Sequence, residues 1–212
     1  MLKISNLTFI DFCANCYLVT DSDTNESLLI DPGAYSERQK SFIESQDVGN
    51  LKYILLTHGH YDHIMGVQQF RDVFGGKVVI HENDEDKLSS ETKSLYAFCS
   101  VRKAFVPSSA DITVSDGYRL PFGGGEIEVI HTPGHTKGGV CYKIGDVLFT
   151  GDTLFRGTIG RTDFPDSDEN EMLSSLKKLY AMEGDFRIYP GHEGTSTLSY
   201  EKQTNRYMKL CR

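Results

Sequence analysis

Short apolar runs separated by polar turns dominate the first third of the chain. Ile4 to Ile10, Asn15 to Thr20 and Ser27 to Ile30, with the polar turn Asp21 to Glu26 between the last two, predict an antiparallel meander. Asp31-Pro32-Gly33 stops it. Ser36 followed by Gln39 is a capping-box signature and opens a helix running to about Gln46. Leu51 to Leu56 predicts a buried strand. From His63 to Phe74, apolar residues at Ile64, Val67, Phe70 and Phe74 form a helical stripe ended by Gly75-Gly76. Lys77 to Ile80 predicts another strand, and Asp84 to Ser90 a helix.

Glu91 to Phe105 has no clear period and reads as helical or irregular. Beyond it the pattern turns to strands at Tyr118 to Leu120, Glu126 to Ile130, Gly139 to Ile144 and Val147 to Thr150. Glu169 to Met182 predicts a helix with Met172, Leu173, Leu176, Leu179 and Tyr180 on its apolar face. Phe186 to Tyr189 reads as a last strand and Tyr200 to Leu210 as a closing helix. No linker, low-complexity tract or fixed-period repeat interrupts this order. Helices alternate with strands in both halves, which predicts an α/β chain of two packed sheets with helices on their outer faces.

The length of 212 residues suits one domain with a full core, or a domain with a small appendage. A hydrophobic content of 39% and a charged content of 25% are those of an ordinary soluble globule. The formal charge of −8 argues against a nucleic-acid partner, because phosphate binding needs a basic surface. No apolar run approaches the ~20 residues of a membrane-spanning helix, so no membrane partner is expected. The N-terminus shows no apolar signal region, and five scattered cysteines fit reduced thiols; both point to the cytoplasm. Cys13-Ala-Asn-Cys16 forms a C-x-x-C, but its apolar surroundings favour buried strand cysteines over a redox or zinc motif. Oligomeric state is not legible.

The chemistry concentrates in Thr57-His58-Gly59-His60-Tyr61-Asp62-His63, directly after the predicted strand Leu51 to Leu56. Neutral imidazole and carboxylate are donors that borderline divalent metals prefer, and one metal rarely takes four from so short a loop. The spacing His-x-His-x-Asp-His therefore suggests two metals side by side. Further ligands are available in His135, Asp152 and His192, each again following an apolar segment. Loops at one rim of a sheet sandwich would bring all seven together. Taken singly, His135, Asp152 and His192 would be assigned to turns; their joint fit reverses that. His131 reads as a hydrogen-bonded structural histidine, and His81 has no metal role.

With that set assembled, the chain resembles the metallo-β-lactamase fold superfamily, a four-layer αββα sandwich with its metals at one edge. The resemblance rests on Asn15-Cys-Tyr-Leu-Val, Leu29-Ile-Asp-Pro-Gly, the His58 loop, His131 to Thr136, Phe149 to Asp152 and Pro190-Gly-His192. Gly151-Asp-Thr-Leu-Phe and Gly157-Thr-Ile-Gly-Arg-Thr-Asp-Phe-Pro165 are similar to the glyoxalase II-like group, the hydroxyacylglutathione hydrolases, and to its short bacterial members above all. The resemblance implies that His58, His60 and His135 hold one metal, that Asp62, His63 and His192 hold the other, and that Asp152 bridges them. It places Asp31 behind the histidine loop and Arg161 against the thiol carrier. Residues 1–212 then form one domain, without the C-terminal helical domain that supplies cationic contacts to glutathione in full-length glyoxalase II. That departure, and Gly194 in place of an aromatic after His192-Glu193, counts against tight glutathione recognition.

The function so implied is cleavage of a small-molecule thioester by a metal-bridging hydroxide. Two divalent cations, zinc or else iron or manganese, acidify a shared water, and Asp62 and Asp152 act as ligands at the reacting centre. The rival is a mononuclear iron dioxygenase. His58, His135 and Asp152 alone are a two-histidine, one-carboxylate set of the kind that suits non-haem iron, and the persulfide dioxygenases of the superfamily share the Gly-Arg-Thr-Asp-Phe run. Thr158-Ile159 and Phe164-Pro165 favour hydrolysis. A β-lactamase, a nuclease, a flavo-diiron protein and a metal-free binding module fit less well. Tyr96, Phe98 and Phe105 are expected in the core rather than in a pocket wall.

Overall fold

Strands β1 (Leu2–Asn6), β2 (Tyr17–Asp21), β3 (Ser27–Ile30), β4 (Leu51–Leu55), β5 (Lys77–His81) and β6 (Ile112–Val114) lie side by side in chain order in one six-stranded sheet. The first three are antiparallel, and β3 through β6 are parallel. The second sheet holds β7 (Arg119–Phe122), β8 (Gly125–His131), β9 (Val140–Ile144), β10 (Val147–Gly151), β11 (Arg187–Pro190) and β12 (Ser196–Thr197), again in chain order. It is antiparallel except for the β10–β11 pair. This computed structural model describes residues 1–8, 14–46, 48, 51–100 and 103–212.

Alternation along the strands builds the layers. Tyr17, Val19, Leu28, Ile30, Tyr53 and Leu55 point from the first sheet into a shared core, where they meet Tyr142, Val147 and Phe149 of the second. The intervening Leu18, Leu29, Ile54 and Leu56 face outward under helices α1 (Glu37–Ser45) and α3 (Val67–Phe74), packing with Ile43, Val67 and Phe70. On the far side, Cys141, Leu148 and Ile188 pack under α4 (Glu169–Ala181) and α5 (Leu198–Thr204) against Met172, Leu176, Leu179 and Leu198. Strands covered on both faces need apolar residues at consecutive positions, which explains the unbroken runs in β4 and β10. The result is the αββα sandwich.

Several expectations need correction. The stripe from His63 to Phe74 is two helices, α2 (Tyr61–Ile64) and α3, parted at Gly66. The Gly66 amide donates to the Pro32 carbonyl at 2.8 Å, and a Cβ there would lie 2.6 Å from that oxygen. Only glycine lets the two segments come so close. Glu82–Ser89 is a 3-10 helix rather than an α-helix, and the closing helix stops at Thr204, with a separate 3-10 turn at Met208–Cys211. Strands β6 and β12 lack any pattern in the sequence; each is two or three residues at a sheet edge. Ile10 and Cys13 lie outside the described residues. Cys16 is buried among Leu18 and Leu29.

The two sheets are bolted together just behind the chemistry. Tyr142 donates its buried hydroxyl to the Leu56 carbonyl at 2.9 Å, across the sandwich. Tyr142→Phe keeps the ring but leaves that carbonyl without its partner. We expect a loss of about 1–2 kcal/mol in urea unfolding, and an unchanged midpoint would deny the bond any role.

Candidate metal centre

The candidate ligands sit at one rim of the sandwich, Asp62 and His63 in the short helix α2 and the other five in loops that follow strands. His58, His60, Asp62 and His63 follow β4; His135 lies between β8 and β9; Asp152 follows β10 and His192 follows β11. The fold brings all seven together. Ligand atoms of His58, His60 and His135 lie within 4.8 Å of one another, and so do those of Asp62, His63 and His192, and of His58, His63 and Asp152. The Asp152 carboxylate stands between the first two trios. Its Oδ2 is 3.3 Å from His135 Nε2 and 3.6 Å from His192 Nε2, while Oδ1 is 3.4 Å from His63 Nε2. Asp62 Oδ2 lies 3.2 Å from His192 Nε2.

Hydrogen bonds behind the rings decide which nitrogens face inward. His135 Nδ1–H donates to the Arg161 carbonyl at 2.8 Å, so its Nε2 carries the lone pair. His63 Nδ1–H donates to Asp31 Oδ2 at 2.9 Å, with the same consequence. The Thr57 hydroxyl donates to Asp31 Oδ2 at 2.6 Å, and Thr57 Oγ1 therefore accepts from His58 Nδ1–H at 3.2 Å. Asp31 thus fixes two rings and also accepts the Thr57 amide at 2.8 Å. Such partners set the tautomer and the orientation of a ligating histidine.

The donor set fits divalent cations. His58 Nε2, His60 Nε2, His63 Nε2 and Asp152 Oδ1 are buried without any hydrogen-bond partner. Four orphaned polar atoms in one cluster would be costly unless something else binds there. His60 Nδ1 and His135 Nε2 face each other at 2.9 Å, a separation that needs a proton or a cation between the nitrogens. The titration shifts divide the histidines: His58 and His60 are lowered, and His63 and His192 are raised. Burial, reinforced by the neighbouring histidines, holds His58 well below the usual imidazole range and pushes His60 down to about 3. Burial raises Asp152, but His63, His135 and His192 outweigh it and keep the carboxyl well below the usual range. Burial lowers His63 and His192 too, but Asp152, Asp31 and Asp62 outweigh it at His63, and Asp62 and Asp152 at His192, so both are raised; their protons hold the place a cation would take beside these carboxylates.

Other residues hold the loops. The Asn15 side chain donates to the Pro190 carbonyl at 3.1 Å and to that of Glu193 at 2.9 Å, pinning the His192 loop to the first sheet. Gly191 passes directly over the centre, where a Cβ would lie 2.2 Å from Asp152 Oδ1. Buried Asp84 bonds the loops of His58 and His135. The sequence marks neither Asn15 nor Asp84 as a tether, because each acts on backbone groups far away in the chain. His131, as expected, is tied elsewhere: its Nε2 meets the Lys137 carbonyl at 2.9 Å, and its ring stacks on His81 at 4.1 Å.

A cleft of about 590 Å³ opens over the cluster. His60, Asp62, His135, Asp152 and His192 form its polar floor; Leu95, Phe98, Phe155, Ile159, Phe164 and Pro165 supply apolar walls, and Arg161 lies at its edge. Phe98 is 74% exposed, so it is a wall residue and not a core residue. Phe105 does pack onto the core beneath α3. Arg161 is exposed, forms two bonds to Asp163 at 2.8 and 2.9 Å, and lies over the Phe164 ring. The Gly157–Gly160 turn is held by Gly157 N donating to Glu201 Oε2 at 2.9 Å.

Comparison with known proteins agrees with this geometry. The family model of the Metallo-beta-lactamase superfamily matches residues 12–192. The hydroxyacylglutathione hydrolase GloC of Haemophilus influenzae is 36% identical, over 98% of each chain. Among solved structures, the B3 metallo-beta-lactamase BLEG-1 superposes with a TM-score of 0.90 at 28% identity, covering 97% of this chain and 99% of that one. TTHA1623 in a di-iron-bound form superposes with a TM-score of 0.82 at 30% identity, covering 96% and 99%. The family match spans all seven candidate ligands and ends on His192 itself, and the chain belongs to the metallo-β-lactamase superfamily.

Proposed function

We propose that the chain is a binuclear metallohydrolase that cleaves a thioester, with a hydroxyacyl thiol as substrate class. The observation that carries this reading is the place of Asp152, whose two oxygens face His63 on one side and His135 and His192 on the other. His58, His60 and His135 would hold one cation, and Asp62, His63 and His192 the second, with Asp152 shared. Zinc suits these donors, though iron is present in the similar di-iron structure. When bound, such a pair supplies Lewis acidity, polarising a carbonyl and making hydroxide available near neutral pH.

The chain's own residues do the rest. Asp31 and Thr57 hold His58 and His63 in the ligating tautomer. Asp62, at the floor of the cleft, orients the attacking water. The apolar walls take up the acyl group and exclude solvent around the reacting carbonyl. Ligands come from both sheets, so residues 1–212 act as one unit. Among the described residues no helix is long and apolar enough to cross a membrane. Cys99, Cys141 and Cys211 are free thiols, which a reducing compartment maintains, and on that ground we place the enzyme in the cytoplasm. The acidic charge favours a small-molecule partner over nucleic acid.

The test is metal analysis paired with anaerobic hydrolysis of lactoylglutathione. Two metals per chain and turnover without oxygen support the reading. A second reading is the dioxygenase on His58, His135 and Asp152, in which His135 Nε2 lies 3.3 Å from Asp152 Oδ2; His58, His63 and Asp152 make a further compact two-histidine, one-carboxylate group. One iron per chain, with oxygen consumed on addition of glutathione persulfide, would establish that dioxygenase instead. Turnover of a chromogenic β-lactam above that of the thioester would favour the activity named for BLEG-1. Arg161→Ala should raise KM about two- to fivefold with little change in kcat, the range of an exposed ionic contact. An unchanged KM would remove Arg161 from carrier recognition.

A further inference from the structure

Asp84 has no part in the ligand set, yet it is completely buried beside it. It lies in the 3-10 helix Glu82–Ser89 that follows β5. One carboxylate oxygen, Oδ2, accepts the Gly59 amide at 2.9 Å, between His58 and His60. The other, Oδ1, accepts the Gly138 amide at 2.9 Å, three residues beyond His135. Lys87 Nζ lies 3.3 Å from Oδ1 and forms an ion pair with Asp166 Oδ2 at 2.6 Å, next to Phe164 and Pro165 of the cleft wall. The fit is close on every side. A Cβ on Gly59 would lie 2.6 Å from the Lys87 side chain, and one on Gly138 would lie 2.6 Å from Asp84 Cβ.

We infer that Asp84, with Lys87 and Asp166, is a positioning cluster that sets the spacing between the two loops carrying His58, His60 and His135, and thereby the affinity and coordination geometry of the metal centre. The inference rests on the metallohydrolase reading. Its physical ground is that one carboxylate bonds both loop amides, so the spacing of the loops at Gly59 and Gly138 follows the width of that group. A neutral amide is no substitute. Asparagine presents one oxygen, and its amide nitrogen would face an N–H donor across the second contact. Ligand loops held a few tenths of an ångström wrong cost metal affinity even when every ligand remains.

The probe is cobalt(II), titrated into chelator-stripped full-length protein and followed by its visible d–d absorption. Wild type reports the stoichiometry, and fewer than two cobalt ions per chain would count against the binuclear reading. The ratio of variant to wild type reports the positioning cluster. Asp84→Asn should fold, by far-ultraviolet circular dichroism, yet bind cobalt about tenfold more weakly and with a displaced d–d band. Asp86→Asn, in the same turn but exposed and paired with Lys93, should match wild type. A cobalt affinity and spectrum of Asp84→Asn equal to wild type, whatever the loss of melting temperature, would overturn the inference, and so would an equal loss in Asp86→Asn. If Asp84→Asn does not fold, Lys87→Met replaces it. That variant keeps the buried stem but strips the carboxylate of its counter-charge, and should also weaken cobalt binding about tenfold; wild-type affinity would overturn the inference.

Discussion

Replacing His60 with alanine is expected to lower thioester hydrolysis at least about a thousandfold, some 4 kcal/mol in the activation barrier. The side chain belongs to the three-histidine group with His58 and His135, and its ring also packs edge-on against Phe164 of the cleft. Losing it leaves the remaining pair of histidines and Asp152 to retain the first cation, and the paired chemistry fails. Stability should behave differently. His60 Nε2 has no hydrogen-bond partner, and the one ring bond lost is that of Nδ1 with His135 Nε2 at 2.9 Å, so the loss of stability should be far smaller than the loss of rate. A steady-state assay beside an unfolding curve of the metal-stripped protein separates the two effects. A near-native rate would contradict the binuclear assignment outright.

Asp31→Ala acts in the opposite balance, on the scaffold as much as on the centre. Its buried carboxylate accepts three bonds, from the Thr57 amide, the Thr57 hydroxyl and His63 Nδ1. Removing it strands three buried donors and releases both ring tautomers. Breaking a buried charged network of this kind costs about 3–5 kcal/mol. The backbone adds to the penalty. Asp31 has φ of 50°, a left-handed conformation that aspartate tolerates and alanine resists. Urea unfolding of the metal-stripped proteins measures the loss; one below about 1 kcal/mol would mean that Asp31 is not the anchor described.

The hydrophobic pattern foretold the layers well because the physics there is local and repetitive. Strands covered on both sides, such as β4 and β10, need continuous apolar runs, and amphipathic α4 needs a stripe. The cap at Ser36 was equally legible: its side chain accepts the Gln39 amide at 3.3 Å at the start of α1. The seven side chains picked from the sequence are those the fold gathers, since histidines and carboxylates at strand ends have few other uses. Their supports were not legible. Asn15 acts on the Pro190 carbonyl and Asp84 on Gly138, contacts that exist only once distant loops meet. A buried Asp–Lys–Asp cluster looks, in sequence, like an ordinary solvated turn. Phe98 was misplaced for a related reason: an aromatic in an aperiodic segment carries no sign of which way it faces.

Anomalous diffraction from crystals of the metal-loaded protein tests the central claim most directly. Two peaks about 3.5–4 Å apart are expected, one against His58, His60 and His135 and the other against Asp62, His63 and His192, with Asp152 touching both. A single peak, or a pair with His192 or Asp152 turned away from it, would contradict a binuclear centre.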